Sequence, residues 1–202
     1  MTTLNPLVLF AHPSLQRSNV HRVLFQSFKQ LEKCTIQDLY ELYPNFFIDI
    51  EVEQQLIKEH DVIVMQFPVY WFSMPALLKQ WIDLVLESGF AFGKDGIHLK
   101  GKKFICVVSA GGSQDTYSQS AERDYSLKEL FAPIEQMARY CDMEYLPPYV
   151  VYDSLNQSLA DLTRHEANLF WLFENFDKTN GDQLKGQIDI NTWLESQTTE
   201  KK

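Results

Sequence analysis

Three short loops carry the residues whose types and spacing can do chemistry. The first, His12-Pro13-Ser14-Leu15-Gln16-Arg17-Ser18-Asn19-Val20-His21, runs into a helical pattern. Free amides at a helix start, the hydroxyls of Ser14 and Ser18, and cationic Arg17 together suit a phosphate dianion. The loop holds no glycine, which excludes a G-x-G-x-x-G dinucleotide fingerprint and a P-loop. An ordinary capped helix with a solvated loop would use the same residues.

The second loop, Pro68-Val69-Tyr70-Trp71-Phe72-Ser73-Met74-Pro75, sets neighbouring aromatics between prolines. Prolines that hold its backbone open would leave amides free to face a flat heteroaromatic ring. An aromatic mini-core or a subunit contact fits equally well. The third, Ser109-Ala110-Gly111-Gly112-Ser113, pairs glycines at a strand end. Such a pair permits positive φ and close backbone approach to a ligand, although turns also use Gly-Gly freely.

The elements that must position these loops follow from periodicity. Leu7 to Ala11 is a continuous apolar run, as a parallel strand covered on both faces requires. Val20, Val23, Leu24, Phe28 and Leu31 then fill one helical face, with Ser18 or Asn19 as the N-cap. Cys34 to Tyr40 alternates as a second strand. A tyrosine-rich connection leads from it to a short helix near Asp49 to His60. Val62 to Phe67 is a third strand that stops at Pro68. Leu77, Leu78, Trp81, Ile82, Val85 and Leu86 form a helical core stripe, with Pro75 suited to its first turn and Gly89 to its end. Phe104 to Ser109 is a fourth strand. Ser126-Leu127-Lys128-Glu129 is a capping box opening a helix to about Cys141, with Pro133 as a kink. Tyr149 to Tyr152 is a fifth strand and Leu159 to Phe176 a last helix. Residues 1–177 therefore read as one domain and 178–202 as a polar, loosely attached tail. Strands alternating with helices imply a parallel sheet with right-handed crossovers, its strand order left open by spacing. A ligand then belongs at the carboxyl ends of the strands, where all three loops fall.

Composition narrows the partners. The 202 residues suffice for one well-cored domain, and 45% apolar with 22% charged residues is ordinary for a globular protein. A net charge of -9 argues against nucleic acid, whose phosphates demand a basic face. Cys34, Cys106 and Cys141 form no C-x-x-C, and the five histidines show no metal spacing. Without a signal peptide or a membrane-length apolar run, the chain is expected in the cytoplasm. Lys94, Lys100, Lys102 and Lys103 read as a solvated basic stretch, or else as a contact for a nucleotide 2′-phosphate or an anionic membrane surface.

Taken together these loops resemble the FMN-dependent NAD(P)H quinone reductases of the DT-diaphorase type. The likeness is strongest to the small bacterial members that include the ancillary proteins of glutathione-gated potassium efflux systems. It is carried by Ala11-His12-Pro13, Asp38-Leu39-Tyr40, Tyr43-Pro44, Phe47-Ile48-Asp49-Ile50, Phe67 to Phe72, Pro75 to Asp83, Gly89-Phe90-Ala91, Ser109 to Gly112 and Leu146-Pro147-Pro148. The resemblance spans about Leu7 to Tyr152. It implies a flavodoxin-like, doubly wound α/β fold, a five-stranded parallel sheet in order 2-1-3-4-5 with helices on both faces. It further implies FMN as cofactor, NADPH or NADH as hydride donor, a quinone as acceptor, and a homodimer. The rival it carries is a regulatory subunit with little turnover, peripheral at the inner face of the membrane on a potassium efflux protein.

Residue by residue, the resemblance assigns His12 and Ser18, Asn19, Val20 and His21, with Arg17 beside them, to the FMN phosphate and ribityl chain. Pro68, Val69, Tyr70, Trp71 and Phe72 would line the isoalloxazine edge, and Ser109, Ala110, Gly111 and Gly112 would cover its pyrimidine end. Tyr117 would stabilise charge after hydride transfer. Two positions depart from the pattern. His21 stands where relatives often carry asparagine. Arg123 stands near the place of the family's histidine, where a guanidinium steadies negative charge but donates no proton at neutral pH.

Overall fold

Leu7 to Phe10 are apolar at every position because both faces of their strand are covered; each is fully buried. They belong to β1 (Pro6–Phe10), which pairs in parallel with β2 (Thr35–Asp38) on one side and β3 (Val62–Pro68) on the other. Beyond β3 lies β4 (Lys103–Ser109), in register from Val62 opposite Lys103 to Pro68 opposite Ser109. The far edge of β4 is shared by β5 (Glu144–Tyr145) and β6 (Tyr149–Val151). The order 2-1-3-4-5 implied by the resemblance is therefore observed, with its fifth place divided in two. Pro147 and Pro148 explain the division, since neither has an amide to give the ladder. This computed structural model describes residues 4–118, 125–179, 184 and 187–199.

Alternate strand residues face two separate cores. Val8, Phe10, Val62, Val64, Ile105 and Val107 pack with α1 (Asn19–Lys29) and α6 (Leu159–Glu174). Leu7, Leu9, Ile63, Met65, Phe104 and Cys106 pack on the opposite face. There they meet α3 (Ile50–Glu59), α4 (Ala76–Val85) and α5 (Leu127–Tyr140). The helix starts follow local chemistry. Ser18 caps α1, Asp49 caps α3, and the Ser126–Glu129 capping box opens α5, which continues through Pro133. A second box, Ser158 with Asp161, opens α6. The short α2 (Leu39–Leu42), capped by Asp38, occupies the end of what reads in sequence as a longer second strand.

The tail expectation is corrected. Ile190 and Leu194 are fully buried, and α7 (Asn191–Thr199) packs beside α6. The side chain of Asn191 pairs with both backbone groups of Val150 on edge strand β6, at 3.0 and 2.7 Å. The polar composition of this stretch conceals a few apolar residues at positions that matter. Lys102 and Lys103 donate to the carbonyls of His60 and Thr179, so these two serve the amino ends of the strands, away from the three loops.

Candidate functional site

The first loop begins where β1 ends. His12 is nearly buried, and its Nδ1 accepts the Ser14 amide at 3.0 Å, which puts the proton of the neutral ring on Nε2. Burial holds its pKa below the ordinary histidine value. A single turn, Leu15–Arg17, leaves Arg17 exposed. Ser18 Oγ then accepts the His21 amide at 3.1 Å. The amides of Asn19 and Val20 open the helix with no partner among the described residues. The Val20 side chain itself is core, so its contribution to a ligand is its backbone.

The side chain of His21, a residue that the resemblance assigns to the FMN phosphate and ribityl chain, is turned inward. Its imidazole is wholly buried, with Nε2 at 2.9 Å from Ser109 Oγ and Nδ1 accepting the Gln66 amide nitrogen at 3.3 Å. An amide nitrogen only donates, so Nδ1 is bare and Nε2–H donates to Ser109. Burial, with His12 beside it at 5.1 Å between ring centroids, pushes the pKa down to about 3. The ring is a neutral strut between α1 and β4. Gln66 is the lone polar residue in the apolar run of β3, and that one break in the pattern is its signal in the sequence. Its Oε1 is buried with no hydrogen-bond partner among the described residues.

The second loop is a tight turn rather than an open segment. Tyr70 and Ser73 exchange two backbone hydrogen bonds of 3.0 Å, and Val69 donates to the Ser109 carbonyl at 2.8 Å. The expected free amides are thus corrected for Val69 and Tyr70, and Pro68 ends β3 inside the sheet. Between the paired residues, Trp71 and Phe72 sit at φ +47 and +64. Two consecutive positive values match a type I′ turn, which normally takes Asn-Gly. Trp71 is 93% exposed, with Tyr70 and Phe72 about half so. Tyr70 reaches the first loop, its ring 6.1 Å from His12.

The third loop is pinned from both sides. Ala110 donates to the Val151 carbonyl, and the carbonyls of Ala110 and Gly112 accept the amides of Ser154 and Asp153. Neither glycine has a positive φ, which corrects the expectation drawn from the pair. A Cβ on Gly111 would meet nothing within 4 Å. One on Gly112 would come within 3.0 Å of Thr116 Cγ2 and 3.1 Å of Tyr117 Cε2. Gly112 is small because Tyr117, on the turn Asp115–Tyr117, packs against it. Tyr117 is 5% exposed, and its ring centroid lies 6.2 Å from that of Tyr152. Arg123 lies outside the described residues.

The three loops thus adjoin at the carboxyl ends of β1, β3 and β4. A helix start with unpartnered amides and the hydroxyl of Ser18 suits a phosphate. The exposed aromatic turn and the open edge at Gly111 leave room for a planar ring. No cluster of metal-ligating side chains occurs among the described residues.

Comparison with known proteins agrees with this arrangement. A family model described as flavodoxin-like fold matches residues 5–170. The glutathione-regulated potassium-efflux system ancillary protein KefG of Cronobacter sakazakii is 44% identical over 163 residues, 81% of this chain and 89% of that protein. Among solved structures, general stress protein 14 of Treponema denticola in complex with FMN shares 36% identity at a TM-score of 0.76, covering 85% of this chain and 97% of its own. An NADPH-quinone reductase from P. pentosaceus shares 31% at 0.75, covering 86% and 97%. A chain named as a thermophilic tryptophan halogenase from Streptomycin violaceusniger shares 40% at 0.78, covering 81% and 95%.

Proposed function

We propose that this chain, which belongs to the flavodoxin-like fold family, is an FMN-dependent oxidoreductase that takes a hydride from NADPH or NADH and passes its electrons to a quinone. The observation that carries this reading is the start of α1, where the Asn19 and Val20 amides are unpartnered above the Ser18 cap. Those amides, the Ser18 hydroxyl, His12 Nε2–H and Arg17 would hold the FMN phosphate. Trp71 and Phe72 would flank the ring, and Gly111 would leave its other edge uncrowded. When bound, FMN supplies the hydride chemistry, and the protein supplies orientation and charge. Tyr117 would place a donor near the ring, where a preorganised hydroxyl in a dry site steadies developing negative charge. Arg123 would add a fixed positive charge. The Treponema and P. pentosaceus proteins, one solved with FMN and one named a quinone reductase, support cofactor and reaction class.

The Cronobacter relative favours a second reading, in which the same flavin site serves an ancillary subunit of a potassium efflux system. No helix among the described residues is long and apolar enough to cross a membrane; in this second reading the chain would sit peripherally on the efflux protein at the inner face of the membrane. Exposed Trp71 and Phe47 suit cover by a second copy of the chain, hence a homodimer. Anaerobic titration of the FMN-loaded protein with NADPH, followed by addition of a quinone, separates the readings. Stoichiometric bleaching and fast reoxidation support the enzyme. Bleaching with negligible turnover supports the subunit, and failure to bind FMN refutes both.

A further inference from the structure

The family match ends at residue 170, yet the chain continues into a segment that returns to the site. Asp189 is 3% exposed. One of its carboxylate oxygens accepts the Tyr152 hydroxyl at 2.7 Å, and the other accepts the Asn191 amide at 3.0 Å. Ile190 donates to the Pro148 carbonyl at 3.0 Å, and Asn191 closes both hydrogen bonds of Val150. Residues 189–191 therefore satisfy the open edge of β6 as an additional strand would. The connection continues inward. Tyr152 lies against Tyr117, Tyr117 packs on Gly112, and Asp153 and Ser154 hold the carbonyls of Gly112 and Ala110. Beside this path a polar cavity of about 170 Å³ is lined by Gln114, the residue that follows the third loop, together with Tyr152 and with Asn191, Thr192 and Glu195 of α7.

We propose that residues 189–191, beyond the stretch that the family model matches, form a strap, and that Asp189 and Tyr152 are positioning residues that set the third loop for its cofactor. The proposal rests on the FMN reading above. The hydroxyl of Tyr152 is the one link of the path that can be removed without removing a ring. Burial, reinforced by the Asp189 carboxylate, raises the pKa of Tyr152, so it remains a donor across the physiological range. Without that bond the ring loses its anchor and Tyr117 its backing.

The protein and its Tyr152→Phe, Asp189→Ala and Ser158→Ala variants test this. Ser158→Ala removes the α6 cap, a loss of stability that does not touch the strap. FMN affinity by fluorescence quenching is expected to fall about five- to tenfold in Tyr152→Phe and at least as far in Asp189→Ala, and to hold in Ser158→Ala. The midpoint potential of the bound flavin is expected to drop in Tyr152→Phe, by about 30 mV for a tenfold loss of preference for the reduced form. Binding free energies are reciprocal, so FMN added to the wild type should slow amide exchange across 189–194 by a similar factor. Wild-type affinity and potential in both strap variants would overturn the proposal while leaving the FMN reading intact. Equal losses in Ser158→Ala would overturn it too, by reducing the effect to general stability. A wild type that takes up no FMN would overturn the reading and the strap together.

Discussion

Replacing Trp71 with asparagine should make the protein more stable and its cofactor site worse. Trp71 holds φ +47 and is 93% exposed. The left-handed region costs an ordinary L-residue about 1–2 kcal/mol, whereas asparagine reaches it through local hydrogen bonding. What the indole buries is small. A tryptophan covers at most about 250 Å² when fully buried, so the hidden fraction amounts to roughly 20 Å², or about 0.5 kcal/mol. The balance is a gain of about 0.5–1.5 kcal/mol, which raises Tm by about 1–6 °C in a domain of this size. Asparagine is preferred to glycine because glycine would add freedom to the unfolded chain. The opposite sign is expected for FMN, because a bare turn offers no ring to flank it. Urea unfolding of the apoprotein and FMN titration, run on the same preparation, read both. A loss of stability of 1 kcal/mol or more would refute the strain argument. Unchanged FMN affinity would remove Trp71 from the site.

His21 gives the protein a specific acid sensitivity. Its pKa is about 3 when folded against an ordinary 6.5, so the unfolded chain takes up a proton that the native ring refuses. Its contribution is complete above pH 6.5 and is lost as pH falls toward 3, at up to about 1.4 kcal/mol per unit. Between pH 7 and 5 the wild type should lose about 2 kcal/mol more than His21→Asn in urea unfolding, and parallel pH profiles would contradict the buried neutral ring. The two glycines should separate fold from site. Gly112→Val drives a side chain into Thr116 and Tyr117 and should cost about 1–3 kcal/mol. A Cβ at Gly111 has nothing within 4 Å, so Gly111→Val should keep the fold while FMN titration shows lost affinity. The reverse pattern would misplace the loop.

What was legible in the sequence was what local chemistry decides. The apolar runs of β1, β3 and β4 announce strands buried on both faces, and Ser126 with Glu129 three residues on announces a helix start. Periodicity left strand order open, because the same alternation serves several doubly wound sheets; only the likeness of whole loops pointed to 2-1-3-4-5. The site was legible as to place but not as to conformation. Nothing in Tyr70-Trp71-Phe72-Ser73 forecasts positive φ at two aromatics, since that geometry is set by the hydrogen bond from Val69 to Ser109 and the mutual pairing of Tyr70 with Ser73. His21 reads as a polar loop residue until β4 supplies a hydroxyl for it to reach inside the protein. The stretch 187–199 reads as polar tail because Ile190 and Leu194 are sparse, yet those two and the paired amide of Asn191 suffice to dock it.

The misread features converge on Ser109. Its hydroxyl receives His21 and so fixes the start of α1, while its carbonyl receives Val69 and so fixes the aromatic turn. The next residue, Ala110, is tied to Val151 and Ser154, which joins the third loop to β6 and through it to Asp189. One residue at the end of a central strand therefore links the phosphate-suited helix start, the strained turn and the glycine loop. The core needs no such junction, because its strands are held by their own ladders and by burial on both faces. The loops do need it. Each bears a feature that is unfavourable in isolation, namely a buried imidazole, two aromatics at positive φ, or a glycine held for a neighbour's ring. Such features persist only where surrounding bonds overdetermine them, and a shared anchor lets each loop's bonds restrain the others.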